Sequence, residues 1–326
     1  MRRREFITLL GGAALLQPRI CSAQRSAMPV MGFLHARAPE VARPQVVGFN
    51  RGLAEKGYIE GQNVITEYRW GRGQYEQLPG MAAELVRRPV DLLIGGSEPA
   101  ALAAKAATST IPIVFAVGSD PVKLGLVASF NHPGGNATGI NILTVSLEAK
   151  RLGLLHEVAP RAETIGVLLN PNSPVAQSEL VDLQAAASGL GLRIREVQAS
   201  SIDDIDSAFA LIEREHIAAL VVAADPFFDN RRDQLVAGAM RAALPVIFQF
   251  REYATAGGLM SYGIDLPDAY RQVGISAGRI LKGEKPGELP VLQSSKFELI
   301  LNLKTAKALG LTFPPGVLAI ADEVIE

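Results

Sequence analysis

Short apolar runs alternate with amphipathic helical patterns along most of the chain. One such run, Ile113–Val117, is bounded by Pro112 and by Gly118-Ser119-Asp120-Pro121. A run of about five or six apolar residues between turn signals predicts a strand that is buried on both faces, as in a parallel sheet. Because a helical pattern follows most of these runs, the alternation predicts βαβ units and an α/β fold.

The pattern occurs twice along the chain. The predicted strands are Pro29–Leu34, Val64–Tyr68, Asp91–Ile94 and Ile113–Val117, then Thr164–Leu169, Arg193–Val197, Ala218–Ala223 and Pro245–Phe248. The predicted helices include Pro44–Lys56, Gln74–Arg87, Ala100–Ala107, Val175–Ser188 and Asp203–Glu215. Between the two sets, the glycine-rich stretch Asn131–Gly139 predicts a loop. Since both sets end in a proline-led strand, we interpret them as two similar lobes rather than one long sheet.

The C-terminal segment is too short for a third domain. A strand at Gly258–Tyr262 and a helix at Leu266–Lys282 are followed by two extended stretches. We expect this segment to cross between the lobes, so that residues 28–140 and about 250–283 form the first lobe and residues 141–249 and about 290–326 the second. The predicted fold is therefore two Rossmann-like lobes with parallel sheets, joined by a hinge of several crossings. Such a hinge creates a cleft for a ligand.

The composition argues against several classes of function. The chain has 326 residues, of which 48% are hydrophobic and 20% charged, which indicates a globular protein of about two domains. Its net charge is −1, and there is no basic run beyond the N-terminus, so nucleic acid is not an expected partner. The histidines lack ligand spacing, no Gly-x-Gly-x-x-Gly follows the first strand, and Cys21 is the only cysteine. We therefore expect neither a metal site nor a cofactor.

The first 23 residues have the pattern of an export signal. Arg2-Arg3-Arg4 precede the short apolar stretch Ile7–Leu16, and Ser22-Ala23 offers a cleavage site. The order Arg-Arg-x-Phe-Ile resembles a twin-arginine signal. The apolar stretch is shorter than the roughly 20 residues that span a bilayer, and the residues before Cys21 do not resemble a lipidation site. We expect a periplasmic mature chain without a lipid anchor; an ordinary basic N-terminal tail and helix is the alternative.

Several segments, in the same order, resemble a family of substrate-binding proteins of ABC transporters. They are Asp120-Pro121 with Gly125-Leu126-Val127, Gly134–Gly139, Tyr262–Asp265, Pro286 with Leu289-Pro290-Val291, and Leu299–Ala306 with Leu309-Gly310-Leu311 and Pro314. The resemblance covers nearly all of residues 28–315 and implies a type I periplasmic-binding fold. It also implies a small-molecule ligand, an ABC permease in the inner membrane as partner, and a monomer. Characterised relatives include tryptophan and tyrosine binders. Many relatives have threonine and small residues where this chain has Gly96-Ser97-Glu98-Pro99, so that Glu98 would make this end of the cleft more acidic.

The carboxyl ends of the predicted strands supply the candidate ligand-binding residues, because open α/β sheets bind ligands there. The candidates are His35, Ser97 and Ser119 from the first lobe, Asn172, Ser173, Asp225 and Phe227 from the second, and Gln249 and Tyr262 near the crossings. Ser97 can hold a ligand carboxylate at a helix N-terminus or simply cap that helix. Asp225 can accept a ligand ammonium, with Phe227 against an apolar part, or simply start a turn. Asp120 is interpreted as a helix cap.

These features predict an exported solute-binding component of an ABC importer, with an amino acid or a related compound as its ligand. No acid–base pair or nucleophile has a spacing that indicates catalysis, so no catalytic residue is assigned. Two alternatives remain. One is an exported ligand-sensing protein that feeds a membrane receptor, and the other is a two-lobed enzyme of the glycosyltransferase kind.

Overall fold

The computed structural model describes residues 28–326, so the predicted export signal and Cys21 lie outside the described residues. Its strands are β1 (Val30–His35), β2 (Ile65–Trp70), β3 (Leu92–Gly95), β4 (Ile113–Val117), β5 (Ala137–Asn141), β6 (Thr164–Leu169), β7 (Arg193–Gln198), β8 (Ala219–Val222), β9 (Val246–Phe248), β10 (Met260–Ile264), β11 (Leu292–Gln293), β12 (Phe297–Asn302) and β13 (Glu323–Ile325).

The helices are α1 (Arg43–Glu55), α2 (Leu78–Arg87), α3 (Glu98–Ala107), α4 (Glu148–Val158), α5 (Ala176–Gly189), α6 (Ile202–Arg214), α7 (Pro226–Asp229), α8 (Arg232–Arg241), α9 (Arg251–Thr255), α10 (Leu266–Leu281), α11 (Leu303–Ala308) and α12 (Pro315–Ala319). No helix among residues 28–326 has the length and apolar character needed to cross a membrane.

The strands form two sheets. The first has the order β11-β5-β4-β3-β1-β2, and all of its neighbouring strands are parallel. The second has the order β13-β12-β10-β9-β8-β6-β7 and is parallel except where β10 meets β12. Every residue of the central strand β4 is buried, as expected for a parallel sheet covered on both faces. The predicted α/β fold with two parallel-sheet lobes is confirmed.

The chain crosses between the sheets after β5, after β10 and after β11. Helix α10 packs on α1 beside the first sheet, and β11 pairs with β5 of that sheet. We therefore call residues 28–141 and 266–293 lobe 1, and residues 142–265 and 294–326 lobe 2. This corrects two expected boundaries. Residues 250–264 belong with lobe 2 because β10 hydrogen-bonds to β9 and β12, and β11 belongs with lobe 1.

Strand β5 begins inside the stretch that was predicted to be a loop. Ala137, Thr138 and Gly139 pair in register with Ile113, Val114 and Phe115 of β4. A Cβ atom on Gly139 would lie 2.2 Å from the carbonyl oxygen of Phe115, so only glycine allows this close pairing. The glycine that suggested a loop is therefore a requirement of the strand.

Helices α1 and α10 pack with their backbones in close contact. A Cβ atom on Gly52 of α1 would lie 1.9 Å from the carbonyl oxygen of Arg271, and one on Gly274 of α10 would lie 2.1 Å from that of Phe49. Small residues at such contacts let two helices approach closely. This contact fixes α10, which follows the second crossing, firmly to lobe 1.

Candidate functional site

A cleft lies between the lobes at the carboxyl ends of the parallel strands. It contains about 520 Å³ of space between atoms, which includes open solvent at its mouth. Its polar lining includes His35, Arg37, Ser97, Glu98 and Tyr270 from lobe 1 and Ser173, Asp225 and Asp229 from lobe 2. Its apolar lining includes Ile142, Val145, Pro174, Val175 and Phe250. The cleft thus offers both charged groups and an apolar wall.

Arg37 and Asp229 join the two lobes across this cleft. The Nη2 atom of Arg37 lies 2.6 Å from Oδ2 of Asp229, and both side chains are buried. The other carboxylate oxygen of Asp229 accepts hydrogen bonds from Gln249 Nε2 at 2.8 Å and from the Tyr253 hydroxyl at 3.0 Å. The guanidinium also lies 5.1 Å from the centre of the Phe250 ring, in a cation–π contact. The charges of Arg37 and Asp229 therefore both have partners within the protein.

Asp225 is held by donors from both lobes. Its Oδ1 atom accepts from the Tyr75 hydroxyl of lobe 1 at 2.6 Å, and from Asn170 Nδ2 and the Phe227 amide of lobe 2, each at 2.9 Å. Burial raises the pKa of Asp225 to about 6, against the lowering effect of these hydrogen bonds. Its Oδ2 atom accepts no hydrogen bond from the residues that the structure describes, and Asp225 lines the cleft. One oxygen thus positions the carboxylate while the other faces the ligand space.

His35 is part of the wall, and its two ring nitrogens are used within lobe 1. Nδ1 accepts from the Arg37 amide at 3.0 Å, so Nε2 carries the proton and donates to the Tyr270 hydroxyl at 3.0 Å. That hydroxyl donates in turn to the carbonyl of Gly96. Burial, and secondarily the charge of Arg37, lowers the pKa of His35 well below 6.5. His35 is therefore neutral and shapes the cleft.

Ser97 and Glu98 lie where α3 begins. The Ser97 hydroxyl does not cap α3; it accepts from the Ala36 amide at 3.1 Å, and its own proton remains available to a ligand. Glu98 points into the same space, and its Oε2 atom accepts from the Ser119 amide at 3.1 Å. Burial raises the pKa of Glu98. Glu98 thus brings a carboxyl group into the same cleft as the Ser97 hydroxyl.

Of the nine predicted ligand-binding residues, the cleft wall includes His35, Ser97, Ser173 and Asp225. The other five lie outside the wall. The Ser119 and Asn172 amides donate to Glu98 and Asn170, and Gln249 donates to Asp229. Phe227 is buried against Phe228, and the side chain of Tyr262 packs on the lobe 2 core. Asp120 accepts from the Val122 amide, but no helix lies between β4 and β5, so the predicted helix cap is wrong and the contact stabilises a turn.

The wall and near-wall residues that were not predicted from the sequence include Arg37, Tyr75, Asp229 and Tyr270. Asp229 lies one helical turn after Asp225, and Arg37 lies two residues beyond β1, so both positions carried a weak signal at the ends of predicted strands. Tyr75 and Tyr270 reach the cleft from a turn before α2 and from α10. Their position depends on how the lobes dock, which no local pattern reports.

Comparison with known proteins places these features in a family. A family model described as ABC transporter substrate binding protein matches residues 40–325. A tyrosine-binding protein of Clostridioides difficile (strain R20291) is 29% identical over 268 residues, which cover 81% of this chain and 76% of that protein. The type I periplasmic-binding architecture expected from the sequence is confirmed by the structural neighbours.

Two solved structures bear on the arrangement of the lobes. One is a domain from Streptococcus pneumonia in complex with L-Trp, with 26% identity, a TM-score of 0.84 and coverage of 92% of this chain and 100% of that one. The other is the ligand-free, open structure of a substrate-binding protein with adhesive properties from Clostridium difficile, with 26% identity, a TM-score of 0.65 and coverage of 91% and 99%. At equal identity the L-Trp complex superimposes better, so the lobes of this chain are arranged as in the complex.

Proposed function

Because this chain belongs to the family of ABC transporter substrate-binding proteins, we propose that it captures an amino acid or a related amine-bearing solute and delivers it to an ABC permease. The pattern of residues 1–23 supports a periplasmic location reached by the twin-arginine route. No bond is made or broken in this function. The chain acts alone as a monomer until it meets the permease.

The observation that carries this proposal is the position of Asp225. Its Oδ1 atom is fixed by Tyr75, Asn170 and the Phe227 amide, so that Oδ2 is presented to the cleft as an acceptor. A carboxylate held in this way is suited to a ligand ammonium, because an ionised acceptor makes a stronger hydrogen bond than a neutral one. The Ser97 hydroxyl is a donor for a polar group, and Ile142, Val145 and Val175 contact an apolar part.

Capture follows from contacts that form only when the lobes meet. The pairs Tyr75–Asp225 and Arg37–Asp229 each join one lobe to the other. A ligand that touches Asp225 in lobe 2 and Ser97 in lobe 1 binds the closed form more tightly than the open form. It therefore shifts the population toward the closed form, which the permease can distinguish from the empty protein.

The relatives support an amino-bearing ligand. One is a tyrosine-binding protein, and another was solved in complex with L-Trp. Their likeness extends over most of this chain, and the lobe arrangement is that of the L-Trp complex. We therefore place amino acids first among the solutes to test, ahead of sugars and organic acids.

Thermal unfolding of residues 24–326 against a panel of about a hundred solutes tests the proposal. A solute at 100 times its Kd stabilises the native state by about 2.7 kcal/mol, which raises Tm by a few degrees. Stabilisation by one series of amine-bearing solutes without turnover is the expected result. Stabilisation only by nucleotide sugars, with release of products, would contradict it and favour the enzyme alternative.

A further inference from the structure

Three carboxyl groups with interacting charges lie near Asp225, one in the cleft wall and two buried behind it. Glu98 comes from α3 of lobe 1, whereas Glu148 and Glu179 come from α4 and α5 of lobe 2. Each has one oxygen that is buried and has no hydrogen-bond partner among the described residues: Oε1 of Glu98, Oε2 of Glu148 and Oε1 of Glu179. Buried acceptors without donors are costly, so donors are expected to come from a bound molecule.

The positions of these groups connect them to the ligand space. Glu98 lines the cleft directly. Val175 also lines it, and Glu179 lies four residues later, with its amide bonded to the Val175 carbonyl at 2.9 Å, so both are on one face of α5. Glu148 accepts from the amide of Ala224, which is a further lining residue. Glu98 thus lies in the cleft wall, and the buried side chains of Glu148 and Glu179 lie behind it.

Acidic groups outnumber basic groups at this end of the cleft. The acidic groups are Glu98, Glu148, Glu179, Asp225 and Asp229, and the basic groups among the described residues are Arg37 and Arg151. Arg37 pairs with Asp229 and Arg151 with Glu148, so that Glu98 and Glu179 have no ion-pair partner of their own among the described residues. The pKa of Glu179 is raised well above 4.5, first by burial and then by the charges of Glu148, Asp225 and Glu98, and burial also raises the pKa of Glu98. The empty site therefore favours the neutral forms of these two carboxyl groups, and a cation placed beside them favours their ionised forms.

We propose that Glu98 in the cleft wall, with the buried carboxyl group of Glu179 behind it, receives a positively charged nitrogen of the ligand, so that the preferred solute carries net positive charge. The chemical class is a basic amino acid or an organic amine without a compensating carboxylate. This inference rests on the proposed function, because it assigns the charge of the solute that the same cleft captures.

The alternatives fit the site less well. No group of three His, Cys, Asp or Glu residues within 28–326 is placed to hold a metal ion, so an organic cation suits this end better. A neutral zwitterion, such as tyrosine, brings one ammonium for Asp225 but adds a carboxylate to a site whose burial and neighbouring acidic groups already disfavour negative charge. Ammonium and guanidinium groups carry three and five N–H donors, which supply what the unpartnered oxygens lack.

Isothermal titration of the purified chain with two matched ligand pairs tests this inference. L-lysine is compared with L-norleucine, which lacks the terminal ammonium, and tyramine is compared with L-tyrosine, which has the additional carboxylate. In at least one pair, we expect the cationic member to bind tenfold more tightly or better. E98Q and E179Q keep the side-chain shape, and each should reduce this preference at least fivefold, mainly by raising the Kd of the cationic member.

The control is E163Q, because Glu163 is an exposed lobe 2 carboxylate, 82% accessible at its side chain, and lies outside the cleft lining. It should leave both affinities unchanged. If E179Q does not fold, E98Q alone decides the question. Equal or tighter binding of the neutral members in both pairs would overturn the inference but leave the proposed function intact. Loss of both members' binding in E98Q by the same factor would also overturn it. No binding of any amine-bearing solute would overturn both proposals.

Discussion

The guanidinium of Arg37 and the carboxylate of Asp229 form a buried ion pair between the two lobes, with 2.6 Å between Nη2 and Oδ2. Arg37 follows the end of β1 in lobe 1, and Asp229 ends the short helix α7 in lobe 2. The pair can form only when the lobes are closed. It therefore contributes to the closed form and not to the folding of either lobe alone.

Arg37→Met should weaken ligand binding while leaving the unliganded protein nearly as stable. Removing one partner of a buried ion pair costs roughly 3–5 kcal/mol. Because Gln249 and Tyr253 still donate to Asp229, we expect about 2 kcal/mol, or roughly a 30-fold rise in Kd. Titration calorimetry with the best solute of the screen measures this change. Arg193→Met, at an exposed ion pair on lobe 2, is the control, and an equal loss of affinity in that variant would contradict the interpretation.

Ligand affinity should decrease as the pH falls below about 6. The pKa of Asp225 is raised to about 6 by burial, and only the ionised carboxylate accepts a ligand ammonium well. The Kd should be constant above about pH 7.5 and should rise roughly tenfold for each pH unit below 6. Calorimetry from pH 5 to 8 measures the profile. In Asp225→Asn, which keeps the Oδ1 acceptor, we expect weak binding and a flatter profile; an unchanged profile would remove Asp225 from the site.

The Asp225 carboxyl group should have the opposite effect on folding stability, which should decrease as the pH rises. Its pKa is higher in the folded chain than the ordinary value of 3.8, so its ionised form is disfavoured by folding. Its stabilising contribution is complete below pH 3.8 and is lost as the pH rises through about 6. Relative to Asp225→Asn, the closed form should therefore lose up to about 3 kcal/mol between acidic and neutral pH, and the open form, in which Asp225 is less buried, should lose less. Urea unfolding of both proteins from pH 5 to 7.5 checks the sign of this difference.

Tyr75→Phe removes one hydrogen bond between the lobes without changing the packing of the ring. The hydroxyl donates to Asp225 at 2.6 Å and accepts from the Phe227 amide at 3.2 Å. Its loss should raise Kd about fivefold to tenfold, from about 1 kcal/mol of hydrogen-bond energy. Because this hydrogen bond lowers the pKa of Asp225, the midpoint of the pH profile should also move upward from about 6. A raised Kd with an unchanged midpoint of the pH profile would show that Tyr75 does not act through Asp225.

Much of the fold could be predicted because burial on both faces leaves a local signal. The predicted strand Ile113–Val117 has the same bounds as β4, and every residue in it is buried. The lobe boundaries were harder to predict from the sequence, because β10 and β11 join sheets through hydrogen bonds to distant parts of the chain. Neither strand's own sequence distinguishes the two sheets. Local pattern thus predicts the elements better than their partners.

The residues of the candidate site also differ in how far local sequence predicts them. Ser97 and Asp225 line the cleft as expected, because both follow directly from the rule that ligands bind at the carboxyl ends of parallel strands. Tyr75 contacts Asp225 over 150 positions of sequence separation, and Arg37 contacts Asp229 over 192. These contacts depend on how two lobes close on one another. A single sequence gives no periodicity or spacing that reports such a contact.

Gly52→Ala should destabilise the protein strongly, although it adds only one methyl group. A Cβ atom at Gly52 would lie 1.9 Å from the Arg271 carbonyl oxygen, so α1 and α10 must separate to admit it. Overpacking of this kind costs about 1–3 kcal/mol, or occasionally more, because backbone rather than a flexible side chain must move. Thermal unfolding should show a Tm lower by several degrees.

Gly153→Ala in α4 is the matched control, since nothing lies within 4 Å of a Cβ atom there. Alanine is the better helix former by about 0.5–1 kcal/mol, so this control should raise Tm slightly. Because α10 connects lobe 1 to the crossings between the lobes, Gly52→Ala should also weaken ligand binding, whereas Gly153→Ala should not. A Tm that falls equally in both variants would show that the close contact of α1 with α10 is not what holds the hinge in place.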